Sequence, residues 1–154
     1  MDLGEFLGEK AVMVDVQVAS KKQLLQTLSE TASEMTDLSA REIFDTILQR
    51  EKLGSTGVGN GIAIPHGKFP KFDKIVGIFA RLAHPIEFDA LDEKPVDIIF
   101  LLLACESAGA DHLKALSKIA RVLRDGERLD ALRTAKTSAD VYGLLISQSQ
   151  SNAA

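Results

Sequence analysis

Apolar side chains recur along the first third of the chain with two different periods. Valines alternate with other residues from Val12 to Val18, which predicts a half-buried strand. Apolar residues then recur at helical spacing after Ser20 and again after Ser39. Each of these serines is followed three residues later by Gln or Glu, as in a capping box. The pattern therefore predicts one strand and two helices, the second helix ending near Gly54.

Two further apolar runs predict strands in the middle of the chain. The run from Ile75 to Ala83 is rich in β-branched residues, and the run from Val96 to Ala104 is almost wholly apolar. An uninterrupted apolar strand is typical of the centre of a sheet that is covered on both faces. The stretch from Pro85 to Asp89 is predicted to be an edge or a turn.

Helices are predicted again near the end of the chain. Asp111 is the expected cap of a helix that stops near Gly126. Two short helices are expected at residues 127–133 and 139–146, with Ser138 as the cap of the last. Interspersed strands and helices predict an α/β domain at residues 1–147, a three-layer sandwich with a mixed sheet flanked by helices. The polar tail at residues 148–154 is expected to be disordered.

Charge and composition exclude several classes of function. The 154 residues carry a net charge of −4, which does not suggest nucleic acid or an anionic membrane as a partner. No signal peptide is visible, and no apolar run approaches the length of a membrane span. A lone cysteine, Cys105, fits a reducing compartment. These features predict a cytoplasmic protein without membrane insertion.

Five of the 11 glycines lie in one segment of 15 residues that contains the candidate chemistry, Gly54 to Lys68. The segment fails the P-loop pattern, because five residues separate Gly61 from Gly67-Lys68 and a phenylalanine follows. It also fails the dinucleotide pattern G-x-G-x-x-G. Near its end, Pro65 and Gly67 flank His66, which predicts a histidine held on stiff backbone that a ligand can approach.

These residues together predict a phosphohistidine site. Imidazole can accept a phosphoryl group and release it again. Arg50 lies on the inward face of its helix, in the last turn, and a guanidinium grips phosphate oxygens. His112 is expected as the first or second residue of its helix, whose N-terminus favours anions. The predicted phosphate-lining residues are all in the glycine-rich segment: Ser55, Thr56, Gly57, Gly59, Asn60 and Gly61.

At these residues the chain resembles the enzyme IIA components of the phosphoenolpyruvate-dependent phosphotransferase system. The resemblance is to the fructose/mannitol superfamily, and most closely to its nitrogen-regulatory type. It is carried by the segment from Arg50 to Lys68, by Asp92-x-x-Pro95 with the apolar run to Leu103, and by residues 111–117. It extends over roughly residues 3–145.

The resemblance implies a fold, a site and a set of partners. The fold is a mixed sheet sandwiched by helices, His66 is the phosphoryl acceptor, and Arg50 and His112 support it. The donor is a phosphorylated HPr-type carrier, and neither a cofactor nor a metal is implied. Members of the nitrogen-regulatory type act on regulatory targets such as potassium-transport or sensor proteins.

Three other interpretations stay open at this point. The chain can be a free-standing sugar-specific enzyme IIA that passes phosphate to a IIB domain, or a binding module that acts mainly when unphosphorylated. A small hydrolase built on Ser55 or Thr56 has little support, because no nucleophile-elbow pattern is present. Phe69 and Phe72, interleaved with lysines, can be core anchors or an exposed rim for a protein partner.

Overall fold

The computed structural model describes residues 1–147, so the predicted tail at residues 148–154 lies outside the described residues. Two short 3₁₀ turns at Leu3–Glu5 and Glu9–Ala11 precede the first strand. The strands are β1 (Val12–Val16), β2 (Gly57–Gly59), β3 (Ile62–Ala63), β4 (His66–Phe69), β5 (Val76–Ile86) and β6 (Val96–Cys105). The helices are α1 (Lys21–Met35), α2 (Ala40–Lys52), α3 (Ala110–Arg124), α4 (Gly126–Thr134) and α5 (Ser138–Ile146).

The predicted mixed sheet is confirmed. Its strand order is β1-β5-β6-β3-β2, and β4 also pairs with β6. Strands β5 and β6 are antiparallel, whereas β1 runs parallel to β5, and both β3 and β4 run parallel to β6. Strand β6 thus has neighbours on both edges, and its side chains are buried from Ile98 to Ala104. The uninterrupted apolar run was a sound indicator of the central strand.

Helices pack on this sheet as the predicted sandwich requires. Helices α1 and α2 contact each other, α1 also contacts β5, and α2 contacts β4. Helix α3 contacts β6, and α5 contacts β1. Each of these four helices presents an apolar stripe to the sheet; in α2, for example, Ile43 and Ile47 are fully buried. Within residues 1–147, no helix is long and apolar enough to cross a membrane.

Two of the predicted helix caps are confirmed and two are wrong. Ser20 and Ser39 each accept a hydrogen bond from the backbone N–H three residues later, at 3.1 and 3.0 Å. Helix α3, however, starts at Ala110 after Gly109, whose φ of 48° suits a glycine, and Asp111 is already inside the helix. Helix α5 is capped by Thr137, whose Oγ1 accepts from Asp140 N at 3.0 Å, and not by Ser138.

The glycine-rich segment shows no strand pattern in the sequence, yet it contains strands. It forms β2, β3 and the start of β4, each two to four residues long. Of these short strands, β3 and β4 pair with β6, which lies far along the chain, and β2 pairs with β3. Because the support comes from a distant strand, the segment carries no local apolar pattern. The predicted turn at Pro85 also differs, because β5 continues to Ile86 with an irregular register after Arg81.

Candidate functional site

His66 is the first residue of β4 and lies opposite Leu102 of β6. The ring is half-buried, on the strand face opposite to Gly67. At Gly67 the chain continues along the strand. The packing at Gly67 is close, because a Cβ there would lie 3.0 Å from Cγ2 of Thr46 in α2. This contact brings the helix that carries Arg50 directly against the strand that carries His66.

One ring nitrogen of His66 is already committed to the protein. Nδ1 lies 2.8 Å from the carbonyl oxygen of Ile64. Since a carbonyl can only accept, Nδ1 carries the proton and Nε2 keeps its lone pair in the neutral ring. Burial lowers the pKa of His66 below its ordinary value of 6.5, and the nearby charges of Arg50 and Lys68 lower this pKa further. The ring is therefore neutral at pH 7, with Nε2 available as a nucleophile.

His112 faces His66 as the third residue of α3, later than the first or second place that was expected. The two ring centroids are 5.6 Å apart, and the ring planes meet at 67°. His112 is only 3% exposed, and burial is the main reason why its pKa falls to about 4. Its Nδ1 is buried and has no hydrogen-bond partner among residues 1–147. Hydrogen bonding to a ligand therefore falls to Nε2 of a neutral ring.

Arg50 and Lys68 supply positive charge to this pair of histidines. Arg50 is in the last turn of α2, and its Nη1 donates to the carbonyl of Gly54 at 2.9 Å. Lys68 is exposed and lies two residues after His66 on the same face of β4. Lys68 was not predicted from the sequence, yet its charge lowers the pKa of both histidines. An anion beside Nε2 of His66 would thus lie near two cations.

The hydroxyl groups of Ser55 and Thr56 are bonded within the protein. Ser55 Oγ donates to the carbonyl of Phe88 at 2.9 Å and accepts from Gly57 N at 3.0 Å. Thr56 donates both its backbone N–H, at 3.1 Å, and its hydroxyl to the carboxylate of Glu51. These hydrogen bonds hold the start of β2. They give no support to the hypothesis that Ser55 or Thr56 is the nucleophile of a hydrolase.

Asn60 and Gly61 form the tip of the β2–β3 hairpin, away from His66. Gly61 O accepts hydrogen bonds from Asp97 N and Ile98 N at the start of β6, whereas His66 lies opposite Leu102. Leu102 is four positions after Ile98 along β6, which corresponds to about 13 Å at 3.3 Å per residue. The structure therefore places the tip apart from the two histidines.

The tip is held by two acidic side chains and one basic side chain. Asp92 Oδ2 accepts from Asn60 N at 3.1 Å. On the other side Arg133 Nη2 donates to the carbonyl of Asn60 at 2.6 Å and to Asp97 Oδ1 at 2.9 Å. Gly61, at φ 79°, leaves the space that this guanidinium occupies, since a Cβ there would clash with Arg133 Nη2.

The suggested rim of phenylalanines is wrong, and other apolar residues are exposed instead. Phe69 is fully buried and Phe72 nearly so, and their rings pack edge to face. The large apolar side chains that are exposed instead include Leu53 at 85%, Leu91 at 77%, Leu113 at 68% and Val58 at 53%. Of the two interpretations of Phe69 and Phe72, the core anchors are therefore confirmed.

Sequence reasoning also missed Glu51, which is 6% exposed at the end of α2. A signal was present, because Glu51 lies four residues after Ile47 and eight after Ile43, on the buried face of the helix. Its Oε1 pairs with Lys21 Nζ at 2.9 Å. Among residues 1–147, no group of three or more His, Cys, Asp or Glu side chains could hold a metal ion.

Comparisons with known proteins agree on one family. The model of the family described as "Phosphoenolpyruvate-dependent sugar phosphotransferase system, EIIA 2" matches residues 5–148. A nitrogen regulatory protein of Bradyrhizobium diazoefficiens is 50% identical over 145 residues, which is 94% of this chain and 95% of that protein. The nitrogen regulatory protein IIA-Ntr of Neisseria meningitidis has a crystal structure that matches with a TM-score of 0.89 and 38% identity, over 93% and 98% of the two chains.

A more distant structure shows how far the fold extends. The IIA mannitol structure from Escherichia coli matches with a TM-score of 0.74, over 90% of this chain and 97% of that one. At 19% identity this likeness concerns the fold alone. The same fold is thus formed by two chains that are only 19% identical.

Proposed function

The chain belongs to the EIIA 2 family of the phosphoenolpyruvate-dependent sugar phosphotransferase system, and we propose that it is a phosphoryl-carrying regulator of the nitrogen type. It accepts a phosphoryl group on His66 from a phosphorylated HPr-type carrier, and its phosphorylation state decides which partners it binds. The observation that carries this proposal is the hydrogen bond from Nδ1 of His66 to Ile64, at 2.8 Å. This bond leaves Nε2 of a neutral ring as the acceptor.

The transfer step follows from that geometry. The lone pair of His66 Nε2 attacks the phosphorus of the donor's phosphohistidine, and a new N–P bond forms. The donor's N–P bond breaks, and its electron pair returns to the donor's ring nitrogen. Because Nδ1 of His66 keeps its proton, the phosphorylated ring is formally cationic, and the Ile64 carbonyl then accepts a charge-assisted hydrogen bond.

Two cations and one neutral donor stabilise the phosphoryl oxygens in this proposal. Arg50 and Lys68 meet the negative charge, and Nε2–H of His112 donates a hydrogen bond. His112 suits that role because its pKa of about 4 keeps the ring neutral at pH 7. It can then donate one hydrogen bond without adding a third positive charge. Phosphoryl transfer depends mostly on such positioning and charge stabilisation.

The regulatory branch is supported by what the similar proteins are named. The Bradyrhizobium and Neisseria relatives are both nitrogen regulatory proteins. Targets such as potassium-transport or sensor proteins belong to this proposal. The exposed side chains of Leu53, Leu91 and Leu113 offer apolar area for a transient protein partner, and Leu113 adjoins His112 in the chain.

A phosphorylation assay tests the acceptor. The protein is mixed with phosphoenolpyruvate, the general first enzyme and an HPr-type carrier, and acid-labile, alkali-stable label is counted. We expect one phosphate per chain, no label on His66→Ala, and full label on the control His84→Ala, which changes an exposed histidine. Label that persists on His66→Ala would contradict the site.

A second assay separates the regulator from its alternatives. Labelled protein is incubated with a fructose- or mannitol-type IIB domain, and unlabelled and labelled protein are tested for binding to a purified potassium-transport regulator. Rapid, complete transfer to IIB would favour the sugar-specific enzyme IIA. Binding by the unphosphorylated form alone would favour the module for which phosphate is an off-switch.

A further inference from the structure

Glu51 is a carboxylate placed almost completely inside the protein, below the start of β2. Its side chain is 2% exposed. The carboxylate accepts hydrogen bonds from Thr56 N and from the Thr56 hydroxyl, and it pairs with Lys21 Nζ at 2.9 Å. Burying a carboxylate is costly unless it is paired and hydrogen-bonded. Every donor that satisfies this one comes from Lys21 or Thr56.

Lys21 is itself fixed by neighbours. Its Nζ lies 4.4 Å above the ring of Phe88 and donates to the Phe88 carbonyl at 3.4 Å. The same carbonyl accepts from Ser55 Oγ. Three segments that are far apart in sequence therefore converge on Glu51: the start of α1, the start of β2 and the segment after β5.

Hydrogen bonds continue from this cluster to the acceptor histidine. Thr56, held by Glu51 through two donors, presents its carbonyl to Ile64 N at 3.0 Å. Ile64 in turn presents its carbonyl to Nδ1 of His66 at 2.8 Å. The path runs Lys21, Glu51, Thr56, Ile64, His66, and each link is a hydrogen bond or ion pair.

We propose that Glu51, with Lys21 as its counter-ion, is a positioning residue that keeps the proton of His66 on Nδ1 by fixing Thr56 and, through it, the carbonyl of Ile64. A histidine's tautomer is set by the bond that its other nitrogen makes. If the Ile64 carbonyl moves, the ring can take the tautomer with Nε2–H, which has no lone pair on the nitrogen that must attack phosphorus. The kinetic consequence rests on the function proposed above, whereas the tautomer does not.

Nitrogen NMR of the unphosphorylated protein tests the tautomer without any donor protein. The variants are Glu51→Gln, which removes the charge, and Thr56→Val, which removes one donor at nearly constant shape. Thr56→Ser keeps the hydroxyl and is the rescue control. Arg133→Gln is the control for simple destabilisation, because it loosens the far end of the same hairpin.

In the wild type, in Thr56→Ser and in Arg133→Gln we expect His66 to carry its proton on Nδ1. In Glu51→Gln and Thr56→Val the ¹⁵N shifts of the two ring nitrogens should move towards each other, as the tautomers mix. The initial rate of phosphoryl transfer should then fall about tenfold in Glu51→Gln and about threefold in Thr56→Val, since small misplacements at a reacting centre are costly.

Several outcomes would overturn the proposal. One is a folded Glu51→Gln or Thr56→Val protein that keeps the wild-type tautomer, whatever its rate. Another is an equal tautomer change in Arg133→Gln, because the effect would then be general loosening. A wild-type protein that accepts no phosphate would instead refute the proposed function, and the NMR comparison would still decide the role of Glu51.

Discussion

The β2–β3 hairpin is held at its base from inside the protein and at its tip from the surface. At the base, Thr56 is bonded to Glu51, which is 6% exposed. At the tip, Asn60 is bonded to Arg133, which pairs with Asp97; these two side chains are 32% and 23% exposed. Partly solvated ion pairs hold geometry weakly, whereas a buried, fully bonded carboxylate holds it firmly.

The two ends of the hairpin are therefore held with different firmness, and they have different roles. The base lies next to the backbone that presents His66, so its rigidity matters for chemistry. The tip lies about 13 Å from the level of His66, measured along β6 by strand spacing. The bonds at the tip contribute to stability. Variants at the base should change phosphoryl transfer in a folded protein, and variants at the tip should change unfolding with transfer intact.

Loss of the Arg50 guanidinium should have the largest effect. In Arg50→Gln we expect phosphoryl transfer from an HPr-type carrier to slow by about a hundredfold to a thousandfold, the cost of removing one preorganised donor to a developing anion. Rapid-quench kinetics with labelled carrier measure this rate. Arg41→Gln, an exposed change in the first turn of the same helix, is the control. Equal rates in both variants would contradict a role for Arg50.

Acid should destabilise the protein through the two facing histidines, His66 and His112. The pKa of His112 is about 4 in the folded protein and 6.5 when unperturbed, so the unfolded chain binds the proton first. Stability is therefore unaffected above pH 6.5 and lost as the pH falls from 6.5 to 4, by about 3 kcal/mol. Urea unfolding across this range should show that loss in the wild type.

The His112→Gln variant isolates this contribution. Its free energy of unfolding should vary less with pH between 6.5 and 4 than that of the wild type, because the largest buried titration is gone. The lowered pKa of His66 acts in the same direction and remains in the variant. Parallel curves for the two proteins would show that burial of His112 does not govern the acid response.

A methyl group at the tip should cost about 2 kcal/mol of stability. Gly61→Ala imposes a side chain at φ 79° and displaces the Arg133 guanidinium from Asp97. Thermal unfolding should show the loss, while transfer to the folded protein stays within about twofold of wild type, since the tip bears no group that we place in the chemistry. Gly8→Ala, which meets open space, is the control.

The same clash can be tested by its removal. In an Arg133→Ala background, Gly61→Ala should cost less than it does in the wild type, because the guanidinium is no longer in the way. A double-mutant cycle that gives strict additivity would mean that the two residues do not compete for this space.

Removal of the exposed lysine beside His66 should have the smallest effect. The positive charge of Lys68 lowers the pKa of His66, so Lys68→Gln should raise that pKa, by less than Arg50→Gln does. NMR titration of the His66 ring measures the change. Lys71→Gln, an exposed change in the turn after β4, should leave the titration unaltered.

Sequence patterns predicted the large elements well, for reasons of local physics. The apolar run of β6 and the alternation in β1 are signals that a single segment carries by itself. The serine caps at Ser20 and Ser39 are equally local. The resemblance carried by the segment from Arg50 to Lys68 gave the family, which the comparisons confirm.

Failures arose where structure depends on distant partners. Strands β3 and β4 exist because β6 pairs with them, and β2 in turn pairs with β3; no pattern inside the glycine-rich segment encodes these pairings. Glu51 is buried because Lys21 and Thr56 come from other elements. The grouping of Ser55 to Gly61 as one phosphate-lining set could not separate a base from a tip, because the sequence does not tell which end of a hairpin faces the acceptor.

The parallel pairing of His66 with Leu102 also has a consequence for protein synthesis. The ribosome completes the whole Pro-His-Gly motif before β6 and α3 have been made. Until β6 is in place the motif has no strand to lie against, and until α3 folds it has no His112. A nascent or truncated chain that ends after β5 thus contains the signature but not the acceptor. The motif is therefore not a portable tag: under the proposed function, phosphorylation requires a folded chain that already includes β6 and α3.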